Sequence, residues 1–568
     1  MISRLRTQAT IASLSKHLRL GLLPSRDPNS YRSRITVVLS SNHFSTFDGP
    51  TPTSLLVSGS ATPEGCGLLQ QQFPKMGYAV SAKTGLALSA IGFGGYRVRP
   101  EFPSHKDALL SAFRSGVNVV DTSSHFGGGL SELLIGDAIQ EAVASNQISR
   151  DVCGLFYQDH SIECKLLSLP KRDLFMATQS RFMIRSILVQ MGLPHCISPQ
   201  FLEAEIIGSL ERLKLDCIDT FLINSPERML LSTDRKISKS HLYDMMARAF
   251  EALESQIQLG RIKSYGVASS SMHLRYSPSY FSIEKLLDLA PSSNFSTVQV
   301  PFNLFELDAM METLDGSPSL FQICRERDLF VLANRPFYSI CRGQIRLLVM
   351  RANINPEDEP ALTIALSKRF EVVTNLEFQL ADLCKSVSLT VSTRMGLDLL
   401  AKFVWAQVIA ENLTRLCENG FSTERFFDQE IKPSLHKSIA LLEAHATKNA
   451  NADGQIILKK WMDAYQESIY PLMDTVLIMS RTREFQANKE LNDMLATLVP
   501  KVIDRNDTLA TNTLRIGLSA LAISAPASSM LVGMRLPEYV DCAVNAASKD
   551  SIDEDSLNNV LNNPIVSA

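Results

Sequence analysis

Short apolar runs alternate with amphipathic segments along the middle of this chain. From Tyr78 onward, β-branched and apolar runs are followed by stretches with an apolar residue at every third or fourth position. This alternation is typical of βα units arranged around a parallel sheet. Seven strands are predicted from it, at residues 88–96, 117–123, 174–179, 218–224, 264–270, 297–303 and 329–336.

An eighth strand, which would close a barrel, is predicted only near the C-terminus. The run 529–534 follows an apolar helical pattern at 513–525. The intervening residues carry only helical periodicity, at 375–386, 397–419, 431–448, 454–479 and 484–499. The predicted fold class is therefore α/β, a (β/α)8 TIM barrel with a long all-helical insertion between strands seven and eight. We place the first part of the barrel at 78–348, the insertion at 349–510, and the last helix and strand at 511–548.

The residues outside these regions differ in composition. Residues 1–34 contain Arg and Lys with a single acid, Asp27, among Ser, Thr and Leu, which is typical of an organelle presequence. Import into the mitochondrion is the favoured interpretation, with a plastid or cytoplasmic location as the alternatives. Residues 35–77 are rich in Ser, Thr, Pro and Gly and are interpreted as a disordered linker, and 549–568 as a C-terminal tail.

Composition narrows the classes of function. With 56 basic and 59 acidic residues the formal net charge is −3, so no global field favours nucleic acid as a partner. The 10 cysteines are scattered, without CxxC pairs or Cys/His clusters, and a metal site is not expected. No uninterrupted apolar run is long enough to predict a membrane span. In the insertion, 459–461 and 481–483 are interpreted as solvated ends, while Phe403 and Trp405 have the spacing of core residues.

The candidate chemistry lies at the end of the second predicted strand. Asp121 closes the run Val119-Val120-Asp121-Thr122, and a Gly-rich turn with His125 and Phe126 follows before a helix. Catalytic and cofactor-binding groups collect at the carboxyl ends of strands in α/β folds, so Asp121 is a site candidate by position. A turn-capping role is the simpler interpretation of a lone aspartate.

Several local patterns, taken in order, resemble the aldo-keto reductase family. They are Ile91-Gly92-Phe93-Gly94-Gly95-Tyr96, Asp121-Thr122 with Phe126-Gly127, Asp216 to Asn224, Gly260 to Val267 leading into Val298-Gln299-Val300-Pro301-Phe302-Asn303, and Leu531 to Glu538. The resemblance implies a TIM barrel that uses NADPH or NADH. It also implies a catalytic tyrosine that donates a proton to the carbonyl, a lysine that lowers the pKa of the tyrosine, an aspartate paired with the lysine, and a histidine.

By position, the resemblance implies that Asp121 is the family's aspartate and that the other three catalytic positions hold different residue types. Phe126 occupies the tyrosine position, Gln179 the lysine position and Asn224 the histidine position. Asparagine still donates a hydrogen bond to a carbonyl, but phenylalanine has no proton to give and glutamine has no charge. His125, beside Phe126, is the candidate substitute acid because it titrates near neutral pH. A solvent-facing His125 is the alternative.

The cofactor positions implied by the resemblance are better retained. Gly92 and Gly94 would let the backbone approach a nicotinamide, Gln299 matches the position that binds its carboxamide, and Ser269 is one of two polar contacts after strand five. Asn334 stands where many members have a stacking aromatic. The candidate phosphate contacts are Arg335, Gly533 and Arg535.

The sequence therefore supports two alternative functions. The first is an aldo-keto-reductase-like oxidoreductase that transfers a hydride between NADP(H), or NAD(H), and a small-molecule carbonyl or alcohol through a diverged active site. The second is a catalytically inactive barrel that acts as a nucleotide-sensing or protein-interaction scaffold. The insertion is a lid over the active site in one interpretation and a docking platform for a protein partner in the other.

Overall fold

Eight parallel strands close into a barrel in the order β12-β3-β4-β5-β6-β7-β8-β9. The computed structural model describes residues 56–159, 196–231, 237–312, 316–341, 344–350, 359–387, 401–500 and 502–567. The strands of the described residues are β1 (Tyr78–Val80), β2 (Ala87–Ser89), β3 (Ile91–Gly94), β4 (Val119–Thr122), β5 (Gly154–Asp159), β6 (Ile218–Asn224), β7 (Ile262–Ala268), β8 (Phe295–Pro301), β9 (Phe330–Asn334), β10 (Tyr338–Cys341), β11 (Gln344–Leu347) and β12 (Ser528–Val532). The predicted TIM barrel is confirmed.

The inside of the barrel is packed with apolar side chains below the strand ends. Phe156 and Phe330 stack at 6.3 Å between ring centroids, and Leu88 of the antiparallel β1–β2 hairpin joins the same cluster. The single strand predicted at 88–96 is thus two strands: β2 belongs to the hairpin and β3 to the barrel. Because the interior is filled, an open site for a ligand is expected at the carboxyl ends of the strands.

Helices cover the outside of the barrel and form the segment between β9 and β12. Those around the barrel are α1 (Pro63–Gln72), α2 (Pro103–Arg114), α3 (Leu130–Ala144), α4 (Pro199–Leu213), α5 (Arg228–Leu231), α6 (Lys239–Gln258), α7 (Ile283–Leu289) and α8 (Leu320–Glu326). The later ones are α9 (Glu359–Ser386), α10 (Trp405–Glu411), α11 (Leu413–Leu416), α12 (Gly420–Phe426), α13 (Lys432–Asn449), α14 (Ala452–Leu498), α15 (Leu509–Ser524), α16 (Pro537–Ser548), α17 (Glu554–Leu561) and α18 (Pro564–Ser567). Within the described part of the chain, no helix combines the length and apolarity of a membrane span.

The helices α9 to α14, which we call the helical module, have a hydrophobic core of their own. Trp461 and Tyr465 of α14 stack at 5.0 Å between centroids, with Phe403 edge-on to both. Trp461 also donates its indole N–H to Leu376 O at 3.0 Å. The predicted insertion between barrel strands seven and eight is confirmed, although the β10–β11 hairpin precedes its first helix.

Two helices predicted in the module are one continuous helix, α14, of 47 residues. The prediction broke it at 481–483 because two arginines beside a threonine resemble a solvated end. In the structure Thr482 is buried, Arg481 pairs with Glu424, and Arg483 pairs with Glu359. These arginines are paired with neighbouring elements, so their charges do not mark a helix end. Residues 397–400 of another predicted helix lie outside the described residues.

Two segments interpreted as irregular are ordered in part. Within 35–77, Thr62 caps α1 by accepting from Gly65 N at 3.0 Å, and Cys66 is buried against the barrel interior. At the other end, Leu557 and Val560 of α17 pack into the main core. Both segments are polar overall, so their few buried apolar residues gave too weak a periodic signal. Residues 1–55, with the predicted presequence, lie outside the described residues.

The helical module lies against the carboxyl end of the barrel. Arg97, which follows β3, lies 4.5 Å above the ring of Phe421 in α12. Asn419 donates its side-chain N–H to Ile345 O in β11 at 2.6 Å. The module therefore meets loops that follow the first and seventh barrel strands.

Asn419 is expected to couple the module to the barrel. Its Oδ1 accepts from Ser422 N at 2.7 Å and so caps α12, in addition to the bond to Ile345. Asn419→Ala should lower the free energy of unfolding by about 1–2 kcal/mol, because one helix cap and one partly buried hydrogen bond are lost. Urea denaturation measures this. Asn449→Ala, at the exposed end of α13, is the control and should cost less; equal costs would contradict the coupling.

Candidate active site

Five polar side chains converge at the carboxyl end of the barrel. They are Asp121 of β4, Gln158 of β5, Asn224 of β6, Gln299 of β8 and Asn334 of β9. All but Asn334 are buried. The parallel register brings neighbouring strand ends to one level, with Gly94 opposite Asp121 and Asn224 opposite Ala268. We call this set the amide network.

The amide network is centred on one oxygen of Asp121. Gln158 donates its Nε2–H to Asp121 Oδ1 at 2.6 Å, and Gln299 donates to the same oxygen at 3.1 Å. The chain continues outward on both sides. Asn224 donates to Gln158 Oε1 at 2.8 Å, and Asn334 donates to Gln299 Oε1 at 3.2 Å. The carboxyl is thus fixed through Oδ1 by two neutral donors.

Asp121 has no cationic partner among the described residues. Burial raises the pKa of its carboxyl to about 7, and the hydrogen bonds from Gln158 and Gln299 lower it only in part. The side chain is 4% exposed. A carboxyl in this state exchanges a proton near neutral pH, which an exposed or lysine-paired aspartate does not do.

The loop after β4 places Phe126 beside an aromatic neighbour. Phe126 begins a 3-10 turn, is buried, and meets Tyr96 edge-to-face at 5.2 Å between ring centroids. His125, half-buried, precedes it and donates its backbone N–H to Ser123 Oγ at 3.1 Å. Gly127 and Gly129 have φ of 63° and 96°, conformations that favour glycine.

A second set of bonds fixes the backbone around Asp121. Gly95 N donates to Asp121 O at 2.9 Å, and Ser131 Oγ donates to Gly95 O at 2.9 Å. A Cβ at Gly95 would lie 2.6 Å from Asp121 O, so the close approach of the two loops requires glycine there. Thr122 Oγ1 and Ser131 Oγ are 3.0 Å apart. The first two strand ends are therefore tied to the start of α3.

The side chain next to Asp121 on the third barrel strand is Gln158. The sequence predicts the third strand at 174–179, with Gln179 at the family's lysine position. Those residues lie outside the described residues. The third strand of the barrel is β5. The sequence signal was present, because Gly154-Leu155-Phe156-Tyr157-Gln158 follows α3 after a short connection and is apolar apart from its end. A second apolar run at 174–179 follows it, and the two runs compete for the place of the third strand.

Tyr157, adjacent in sequence, does not enter the site. It is fully buried, stacks on Phe221 at 5.1 Å, and its hydroxyl lies 3.4 Å from Glu205 Oε2 on α4. Side chains alternate along a strand, so Gln158 points inward and Tyr157 points to the helices.

The two glycines of the first strand occupy different environments. A Cβ at Gly92 would lie 2.7 Å from Val119 Cγ1 and 2.8 Å from Leu531 Cδ2, so Gly92 belongs to the packed interior and differs from its predicted place at the cofactor. Gly94, at the strand end, is half-buried. Asn334 Oδ1 is buried and has no hydrogen-bond partner among the described residues. An orphaned acceptor on the side chain that binds Gln299 fits a carboxamide N–H donor such as that of nicotinamide.

The predicted cofactor contacts after β7 and β9, Ser269 and Arg335, form hydrogen bonds to other residues of the protein. Ser269 Oγ accepts from the backbone N–H groups of Ser271 and Met272, both at 3.1 Å. Arg335 has φ of 62° and donates to Glu306 Oε1 at 3.4 Å and to Ser270 Oγ at 3.0 Å. The guanidinium of Arg335 is therefore paired to a carboxylate in this structure.

Arg535 follows β12 with Gly533 before it. Gly533 is exposed, and a Cβ there would meet nothing within 4 Å. Arg535 is half-buried, and no ion pair of Arg535 is found in the described part of the chain. Burial, and after it the charge of Arg535, lower the pKa of Arg97; burial, and after it the charges of Arg535 and Arg99, lower the pKa of His105. Cationic groups therefore lie close together at this corner of the barrel mouth. Among the described residues no cluster of His, Cys, Asp and Glu has the arrangement of a metal site.

Comparison with known proteins points to one family. Residues 90–339 match the model of the aldo/keto reductase family. D-threo-aldose 1-dehydrogenase from a Pseudomonas species is 28% identical over 195 residues, 33% of this chain and 52% of that protein. Aldo-keto reductase YhdN from Bacillus subtilis is 23% identical over 274 residues, 47% of this chain and 63% of that protein. The matches thus span a half to five eighths of these relatives.

One solved structure is also similar to this chain. The glycerol dehydrogenase AKR11B4 from Gluconobacter oxydans is 14% identical, with 86% of this chain and 97% of that chain covered and a TM-score of 0.42. The ordered strand ends and the family match lead to one assignment. Residues 90–339, which include seven of the eight barrel strands, are an aldo/keto reductase domain.

Proposed function

We propose that the barrel binds NADP(H) at its carboxyl end and reduces a small-molecule carbonyl, or oxidises the corresponding alcohol, without the family's tyrosine. The observation that carries this proposal is the amide network around Asp121. It keeps a protonatable carboxyl and several hydrogen-bond donors at the end of the barrel where the family carries out its chemistry.

The residues that would hold the nicotinamide are Gly94, Gln299 and Asn334. Gly94 removes side-chain bulk at the end of β3, and the orphaned Asn334 Oδ1 accepts from the carboxamide. The cofactor, when bound, supplies the hydride. Asn224, whose Oδ1 accepts from Ser225 Oγ at 2.7 Å, is the side chain that would orient the carbonyl.

The cofactor phosphates are assigned to the electropositive corner at Arg535. Arg97 and Arg535 follow the first and last barrel strands, and Gly533 leaves the approach open. Two guanidinium groups without ion pairs among the described residues suit a phosphate. Arg335 is a weaker candidate because it is engaged by Glu306. NADP is the proposed cofactor and NAD the alternative.

The helical module is proposed to act as a lid. Phe421 contacts Arg97 and Asn419 contacts β11, so α12 lies beside the loops that would surround a bound cofactor. A lid that excludes water strengthens the electrostatic interactions of a buried acid.

Cofactor binding is tested by a thermal-shift titration of the full chain. NADPH should raise the melting temperature in a concentration-dependent manner, because a ligand that binds only the folded state stabilises it by about 2.7 kcal/mol at 100 times its dissociation constant. Arg535→Gln removes one of the two proposed phosphate contacts and should weaken the binding of NADPH. No shift with either cofactor would contradict the proposed function.

A second candidate, a scaffold without turnover, is favoured by one surface of the helical module. Ile364, Val372 and Phe378 of α9 are exposed, Phe378 by 76%. Exposed large apolar side chains on one helix are typical of a protein-interaction surface. This candidate would be supported if NADPH binds but no carbonyl is reduced in single-turnover experiments.

The location is a separate proposal and rests on the composition of residues 1–34. Fused to a fluorescent protein, these residues should direct it to mitochondria, because an Arg-rich segment with a single acid has the composition of a presequence. Co-localisation with a mitochondrial dye measures this. The control replaces the arginines of the segment by glutamine and should remain cytosolic. A plastid or cytosolic signal from the unchanged segment would contradict the proposal.

A further inference from the structure

The two carboxyl oxygens of Asp121 differ in their hydrogen bonds to the amide network. Both amide donors, from Gln158 and Gln299, bind Oδ1, at 2.6 and 3.1 Å. Among the described residues no hydrogen bond to Oδ2 is found. This one-sided arrangement leaves Oδ2 as the oxygen that carries a proton when the carboxyl is neutral.

The surroundings of Asp121 lack the charges that would ionise it. From β5 and β8 it faces the neutral amides of Gln158 and Gln299, and from β3 the glycine backbone at Gly94 and Gly95. No lysine, arginine or histidine pairs with it in the described part of the chain. A neutral amide at position 158, in place of a cation, is what lets the carboxyl keep its proton.

We propose that Asp121 is the proton donor of this site and takes the role that the missing tyrosine would play. This proposal rests on the proposed function, since it needs a carbonyl substrate and a dihydronicotinamide. The hydride goes to the carbonyl carbon, the proton on Oδ2 goes to the carbonyl oxygen, and the carboxylate that remains is reprotonated by water. In the oxidation direction the same carboxylate accepts the proton of the alcohol.

Two other groups near the loop compete for the role. Tyr96 carries a hydroxyl and its ring lies 5.2 Å from that of Phe126, but the side chain is 56% exposed. His125 is half-buried in the same turn. Neither belongs to the amide network, so neither is held by the strand ends as Asp121 is.

The test compares three variants of the full chain, Asp121→Asn, Tyr96→Phe and His125→Gln. Single-turnover oxidation of bound NADPH is followed with 4-nitrobenzaldehyde in excess from pH 5 to pH 9. Asp121→Asn keeps an oxygen acceptor for the amides but has no acidic proton, and it should be slower by at least about 100-fold, the range lost when a general acid is removed. Its NADPH affinity should change less than about threefold, because the cofactor contacts remain.

A readout independent of turnover is the infrared carbonyl band of a protonated carboxyl at pH 6. The wild-type protein should show this band, Asp121→Asn should lose it, and Asp137→Asn on the exposed side of α3 should keep it. The wild-type reduction rate should fall above neutral pH as the carboxyl ionises. If Asp121→Asn fails to fold, Gln158→Lys ionises the same carboxyl without removing it and should also lose the band.

Several outcomes would overturn the proposal. One is turnover of Asp121→Asn within threefold of wild type, and another is a loss confined to Tyr96→Phe or His125→Gln. Absence of the infrared band from the wild type would also overturn the proposal. If that protein still binds and oxidises NADPH, the proposed function is not affected. Absence of NADPH binding by the wild type defeats the proposed function itself.

Discussion

Gln158→Lys is expected to reduce carbonyl reduction by at least about 100-fold, although it restores a residue type that the family uses. The Nε2 of Gln158 lies 2.6 Å from Asp121 Oδ1, so an ammonium group there would pair with the carboxylate. The pKa of Asp121 would fall below neutral, and the acid that we assign to this site would be lost.

The double variant Phe126→Tyr with Gln158→Lys is expected to recover turnover to at least the wild-type level. It supplies a phenol in the turn after β4 and a cation on β5, which is the pairing that the family resemblance implies. Activity should then depend on the tyrosine, and Asp121 should act only as the partner of the lysine. Single-turnover NADPH oxidation measures both effects.

The matched control is Phe126→Tyr with Gln158→Met, which adds the phenol without the cation. Asp121 keeps its proton in this variant, so its turnover should still depend on Asp121 and not on the tyrosine. If Gln158→Lys alone is as active as wild type, Asp121 is not the acid. If the double variant binds NADPH and stays inactive, the assignment of Gln158 to the lysine position is contradicted.

Asp121→Asn is expected to be more stable than wild type at neutral pH, and the difference should grow as pH rises. The pKa of Asp121 is raised from 3.8 to about 7 by burial, so between these values the folded state binds more protons than the unfolded state. The wild type therefore loses stability as pH rises through this window. Asparagine carries no such penalty.

The size of the effect follows from the same interval. About 1.36 kcal/mol per pKa unit gives about 4 kcal/mol for the whole window from 3.8 to about 7, and about 2–3 kcal/mol between pH 5 and pH 7. Urea denaturation of both proteins from pH 5 to pH 8 measures the difference. Asp137→Asn is the control and should show no comparable trend. A difference that stays constant with pH would show that Asp121 is ionised throughout.

Much of the barrel was predictable because its signals are local. Seven of its eight strands lie within or overlap the predicted runs in order, and the late β12 is among them because an apolar helix precedes it. The end of β4 also marked Asp121 correctly as a residue at the carboxyl end of the barrel. The place of a residue along a strand can be predicted from the alternation of apolar and polar residues and from the Gly-rich turn that follows the strand.

The neighbours of Asp121 were harder to find because they depend on which strands pair. Two apolar runs follow α3, and the choice between them decides whether Gln179 or Gln158 faces the carboxyl; only the closed barrel identifies β5. Gly92 and Gly94 look equivalent in sequence, yet packing against Val119 places the first in the interior. The hydrogen bonds of Arg335 and Ser269 likewise depend on loops that carry no periodic signal.

Hydride transfer by this barrel is tested most directly with NADPH deuterated at C4 of the dihydronicotinamide. The full chain is incubated with this cofactor and 4-nitrobenzaldehyde at pH 6, and the alcohol product is examined by mass spectrometry. The account predicts alcohol with deuterium on the carbinol carbon, formed by the wild type and by the Phe126→Tyr, Gln158→Lys double variant, and strongly reduced with Asp121→Asn. Bound NADPH without any deuterated alcohol from the wild type would contradict it.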